Sequence, residues 1–152
     1  MSEDTLPEAQ FDFEPLAREI VFNRLADDPD FAGSAAKTAR DIILPALKAS
    51  LPSQEPRITA FQVCRGILAA VLALDKPARE TCLAVLEVTA GIAEEGGLEP
   101  ADLMTWAMEG MASVLSLQDQ HTEDLVHLAI EKRFFGAGDV FAELCRKHRA
   151  RV

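Results

Sequence analysis

The stretch FQVCRGILAAVLAL, residues 61–74, limits most sharply what this chain can fold into. At helical spacing, Phe61, Val63, Ile67, Leu68, Val71, Leu72 and Leu74 cover most of the circumference, and only Arg65 interrupts the apolar surface before Asp75. A helix apolar on nearly all sides needs protein on nearly all sides, so it belongs at the centre of a helical bundle. It is too short an apolar run to cross a bilayer: Ile67 to Leu74 is eight residues, and a span needs about 20. No membrane association is therefore expected.

The rest of the chain can be read around that helix. Apolar residues recur at helical intervals, and no segment alternates as a strand would. The expected fold is all-α: a single-domain bundle of six or seven mostly antiparallel helices around a central apolar helix at about 60–74. Residues 1–11 read as a flexible acidic leader, and 12–152 as the helical domain, with a possible seam at 52–56, PSQEP. With 152 residues the chain suits one domain with a full core. The acidic, polar start is unlike a secretory signal, so a cytoplasmic protein is expected.

Local signals place the helix ends. Pro15 sits in the first turn of a helix over 14–27, and Asp27-Asp28-Pro29-Asp30 ends it. That aspartate cluster lacks the ligand spacing and glycine of a calcium loop and reads as a turn with a cap. A second helix runs from about 29 or 34 to 51, with Pro45 expected to kink or break it near Leu44. Thr59 and Gln62 read as a capping box with a hydrophobic staple between Ile58 and Val63. Further helices follow Pro77 and Pro100, and Thr122 and Asp139 are expected to cap the sixth and seventh. Short connections imply that consecutive helices pack as hairpins.

The net charge is −10. It is spread unevenly: residues 1–30 hold nine acids and two bases, 31–131 hold fourteen acids and seven bases, and 132–152 hold two acids and six bases. So acidic a chain repels phosphate backbones, which disfavours direct nucleic-acid binding. The basic end from Arg146 to Arg151 complements the negative end of its helix dipole, or offers a contact for an acidic partner. Cys64, Cys82 and Cys145 are widely spaced and odd in number, which argues for reduced buried thiols and against a disulfide frame or structural zinc.

Three stretches invite a chemical reading. HTEDLVHLAIEKRFFG, 121–136, places Asp124, His127 and Glu131 in one helical sector, a possible pH-sensitive or metal-contacting group. Bundle di-metal sites need two (Asp/Glu)-x-x-His segments, and there is one here. On a helical wheel the trio lies opposite a broad side of Leu125, Leu128, Ala129 and Val126, so it is expected to form an exposed acidic face with those residues toward the core. Cys145 and His148 lie one turn apart without an oxyanion hole, and Gly136-Ala137-Gly138-Asp139 follows a helix and reads as a turn. No metal ligand set and no cofactor is inferred.

The helix after Pro100 carries Met104, Met108 and Met111 on one stripe, with Trp106 beside it. Methionine stripes fill irregular cores or serve adaptable binding surfaces, so these four residues are the candidate partner-binding set. Gly110 would let another helix approach closely. The passage AGIAEEGGLEPADL, 90–103, resembles the helix–acidic glycine loop–helix joints of TerB-like helical domains. The likeness covers these fourteen residues and lacks the Asp-Gly pair of such joints, so no activity or site residue is carried over from it.

Together these readings favour a non-catalytic helical interaction or regulatory protein, with a protein partner or a second copy of itself, probing contacts through the 100–117 helix. A first alternative is a bundle with a small-molecule pocket, or a weak metal-assisted site at Asp124, His127 and Glu131. A second is an acidic decoy that occupies a nucleic-acid-binding protein.

Overall fold

The computed structural model describes residues 10–49 and 53–150. Residues 1–9 of the expected leader and 50–52 around the expected seam lie outside the described residues. Among the described residues, seven helices follow one another: α1 (Glu14–Arg24), α2 (Phe31–Lys48), α3 (Pro56–Ala73), α4 (Ala78–Gly96), α5 (Pro100–Leu115), α6 (Gln120–Arg133) and α7 (Ala137–Ala150). No strand occurs among the described residues. All seven helices contribute side chains to one apolar cluster.

Helix α3 is the inner helix that its composition demands. Nine of its residues are buried, and it packs against α1, α2, α4 and α5. The uninterrupted apolar run is eight residues. Over its full 18 residues, however, α3 has a mean hydropathy of 1.2, so by length and composition it is apolar enough to cross a membrane, contrary to the expectation from the run alone. Half of that stretch is buried in the bundle, as an enclosed helix requires. The most extensive contacts are α3 with α5, α2 with α4, and α1 with α3. Sequence neighbours also touch, most fully α4 with α5 and α6 with α7, but the principal interfaces join helices two apart. Short connections make neighbours adjacent; buried area decides which pairs pack most deeply.

Two glycines explain how tightly α1, α3 and α5 stack. A Cβ on Gly66 of α3 would sit 2.4 Å from the Glu14 carbonyl oxygen. One on Gly110 of α5 would sit 2.4 Å from the Phe61 carbonyl oxygen. In both places backbone meets backbone, a distance no larger residue permits.

Several expected helix ends fall elsewhere. Helix α3 begins at Pro56, not Thr59, because proline suits the first helical position, where no donor is lost. Thr59 and Gln62 are therefore inside the helix and bind the incoming chain. Gln10 Nε2 donates to Thr59 Oγ1 at 3.1 Å and the Phe13 amide to Gln62 Oε1 at 3.0 Å. The Phe11 amide donates to Gln54 Oε1 at 2.9 Å, and the Glu55 amide to Gln10 Oε1 at 2.7 Å. Gln10 and Phe11, assigned to a loose leader, are thus tied to the start of α3.

Pro45 does not end α2, which continues to Lys48. The proline lies in the last turn and faces solvent, as does Asp41, whose carbonyl loses its donor and can turn to water. The aspartate cluster at 27–30 behaves as a turn with a cap. Asp30 accepts from the Gly33 amide, and Asp28 accepts from the Asp30 amide and the Ser34 hydroxyl, which holds its carboxyl below the usual range. Asp119, not Thr122, caps α6, accepting from the Thr122 amide at 2.8 Å. At Gly97 the backbone is left-handed, with φ 74°, and ends α4.

Candidate functional site

The stripe on α5 lies largely within the core. Met111 and Met108 are 0% and 2% exposed, and Met104 and Trp106 are half-buried against the same cluster. Helix α5 packs on α3, α4 and α7, which leaves Met108 and Met111 no route to a partner while the bundle is folded. Of the four proposed partner-binding residues, only Met104 and Trp106 retain a solvent-facing portion.

The polar group on α6 is used by the fold. Glu131 reaches across the α6–α7 turn, where its carboxylate accepts from the Gly136 amide at 2.9 Å and the Gly138 amide at 3.0 Å. Those amides stand at the start of α7, so Glu131 performs the capping assigned by sequence to Asp139. His127 also faces α7, with Nε2 3.9 Å from Asp139 Oδ1. Asp124 is exposed and accepts from Gln120 Nε2 at 2.9 Å. Among the described residues, no group of three or more His, Cys, Asp or Glu side chains could hold a metal ion. The trio thus lies on one helix without converging on a common point.

Helix α6 is turned differently from the wheel's expectation. Its buried residues are Glu123, Val126 and Ile130. Leu125 and Leu128, expected in the core, lie roughly opposite on the helix and are exposed, Leu128 to 63%. Glu123 lies on that inner face with its carboxylate paired to Arg149 of α7, so it is buried without losing a charged partner. With Glu123 held inward, Val126 and Ile130 follow it at helical spacing, and Leu125, Leu128 and Ala129 are left outside.

Those residues line a groove between α4 and α6 of about 560 Å³. Leu83 of α4 and Leu125, Leu128 and Ala129 of α6 supply an apolar floor. Arg79, Lys132 and Arg133 are the charged residues of its lining. Arg79 pairs with Glu80 at 3.1 Å, and Arg133 pairs with Glu87 across the two helices. A second groove of about 530 Å³ lies between α1 and α3 under the exposed Leu16 and Phe22, with Arg18 and Glu19 at its edge. Its charges are mixed, whereas those lining the α4–α6 groove share one sign.

Within the basic end, Arg149 and His148 contact other helices. Besides the Arg149 pair, Arg146 pairs with Glu143 on α7, and His148 stacks on Phe61 of α3 with ring centroids 6.3 Å apart. All three thiols are free and buried. Burial pushes Cys64 up to about 12. Cys145 is pushed to about 12 by burial and the neighbouring Glu123, and Cys82 is raised further. Burial in apolar surroundings disfavours the thiolate, the reactive form.

The sequence pattern does not point to the groove, because the wheel assigns its α6 half to the core. A signal was available: α6 has apolar residues in two sectors, Val126/Ile130 and Leu125/Leu128/Ala129, so the wheel alone does not say which of them faces the core. Comparison with protein-family models, with curated proteins and with solved structures found no match.

Proposed function

We propose that this protein is a non-catalytic, cytoplasmic helical interaction module that docks an amphipathic helix of a protein partner in the groove between α4 and α6. The observation that carries the reading is the exposure of Leu125 and Leu128 beside Leu83, an apolar strip on two adjacent helices. On α6 the lining positions 125, 128, 129, 132 and 133 follow the spacing by which one helix packs against another. A third helix laid along the pair would cover this strip, the helix-in-groove mode of recognition. Glu131 is engaged in capping and Glu123 in an ion pair with Arg149, which favours an interaction role over acid–base chemistry at these carboxylates. Free buried thiols agree with a reducing compartment.

The test uses an isotope-labelled protein titrated with a designed leucine-striped peptide of about 16 residues, long enough to form several helical turns. Amide shifts confined to 79–83 and 125–133, and abolished by Leu128→Asp with the circular dichroism unchanged, are the expected result. Shifts that scatter over the surface, or survive Leu128→Asp, defeat the reading. A second reading, self-association, is favoured by the exposed Leu16 and Phe22 on α1, an apolar helix face carried by the same chain. It requires a dimer in sedimentation equilibrium that both Leu128→Asp and Phe22→Asp dissolve.

A further inference from the structure

Resting on the docking groove just proposed, we infer that its occupant is an acidic amphipathic helix, selected by Arg79, Lys132 and Arg133. The charged residues lining the groove are all cations, on a chain whose net charge is −10. Arg79 and Arg133 are each paired with a glutamate, so Lys132 carries the uncompensated positive charge of the lining, where an apolar strip is also exposed. Lys132 and Arg133 lie one turn beyond Leu128 and Ala129 on α6, and Arg79 lies one turn before Leu83 on α4. The cations therefore flank the strip on both helices. A helix whose leucines cover Leu125 and Leu128 would carry its own flanking side chains over these three groups.

The two arginines are held in place before any partner arrives. Glu80 accepts from Arg79 and Glu87 pairs with Arg133. Each guanidinium has five donor hydrogens, so one carboxylate leaves donors for a second. Lys132 is exposed, and its ammonium offers three donors on a flexible stem. A basic helix in the same position would set lysines against these cations in a partly desolvated groove, where like charges repel most strongly. The protein's overall negative charge acts at longer range and is screened beyond about 8 Å at physiological salt. At contact, selection rests on the Lys132 ammonium and on the donors that Arg79 and Arg133 keep beyond their pairs with Glu80 and Glu87.

The experiment uses the full chain and two synthetic peptides with the same leucine stripe, one flanked by glutamates and one by lysines. Binding is followed by fluorescence anisotropy, with phosphatidylserine vesicles as a third probe. The glutamate peptide is expected to bind wild-type protein at least about tenfold more tightly than the lysine peptide. The double variant Arg79→Glu/Lys132→Glu should reverse that order, and Leu128→Asp should weaken both peptides. All three altered residues are exposed, and circular dichroism checks that each variant is folded. Equal binding of both peptides at the mapped groove overturns the acidic-partner inference and leaves the docking reading standing. Failure of both peptides to bind overturns the inference together with that reading. Vesicle binding that Leu128→Asp abolishes, with neither peptide bound, overturns the inference in favour of an anionic membrane surface.

Discussion

Adding one methyl group at Gly110 or at Gly91 should change stability in opposite directions. Both glycines lie within helices, so each alanine gains up to about 1 kcal/mol in helix propensity. At Gly91 a new Cβ meets nothing within 4 Å, so the gain is kept. At Gly110 it would lie 2.4 Å from the Phe61 carbonyl oxygen and 3.0 Å from both the Arg65 amide nitrogen and the Cys64 Cβ. Ordinary contact begins at 3.4 Å, so α5 must move away from α3 by about 1 Å. Backbone atoms cannot rotate aside as a side-chain tip can, and overpacking of this kind costs about 1–3 kcal/mol. Because the propensity gain is common to both variants, the gap between Gly91→Ala and Gly110→Ala isolates that steric cost. Urea unfolding should give Gly91→Ala a higher midpoint than wild type and Gly110→Ala a lower one at unchanged slope. In a protein of this size the gap corresponds to several degrees in Tm, at about 2–4 °C per kcal/mol. If the two variants were equally stable, the backbone contact of α3 with α5 would not be as close as described.

Other consequences follow from the contacts around α6 and α7. Glu131→Ala removes the acceptor for the Gly136 and Gly138 amides and should cost about 1–2 kcal/mol, the range for a lost helix cap; denaturant unfolding measures it, and faster hydrogen exchange at those two amides locates it. Arg149→Ala strands the buried Glu123 carboxylate and should cost about 2 kcal/mol, discounted from the range for a fully buried pair because Arg149 is partly exposed; truncating Glu123 as well, to Glu123→Ala, should recover part of that loss. The raised thiols make the folded protein sensitive to alkali. Above about pH 9 the unfolded chain loses thiol protons that Cys64, at about 12 when folded, retains. Each pH unit then lowers stability by up to about 1.4 kcal/mol per thiol. Below pH 9 this contribution is flat, and Cys64→Ala should make the fall between pH 9 and 11 shallower.

What was legible in the sequence concerned elements and their depth. Prolines 15 and 100 and the aspartate turn at 27–30 mark real helix boundaries, because proline and aspartate act on the backbone within a turn of their own position. The near-continuous apolar surface of 61–74 placed α3 at the centre, since no solvent-facing position can accept it. Gly110 was read as a point of close approach, which a glycine in a helix otherwise rich in methionine suggests and the α3 backbone confirms. Caps were less legible. Thr59, Thr122 and Asp139 have the chemistry for capping, but the helices begin elsewhere, and Glu131 reaches its amides across a turn.

By itself, then, the sequence determined that the chain is helical, which helix lies innermost and where a close crossing falls. These depend on residues within a few positions of one another. Only the tertiary structure decided which face of α6 looks inward, and so where the exposed apolar strip lies. Both faces of that helix carry apolar residues, so its local pattern is nearly balanced. Glu123, on the face that Val126 and Ile130 bury, pairs with Arg149, 26 positions further along the chain, while Leu125 and Leu128 face outward. That contact is distant in sequence and close only once the bundle has formed, and no helical wheel of α6 contains it.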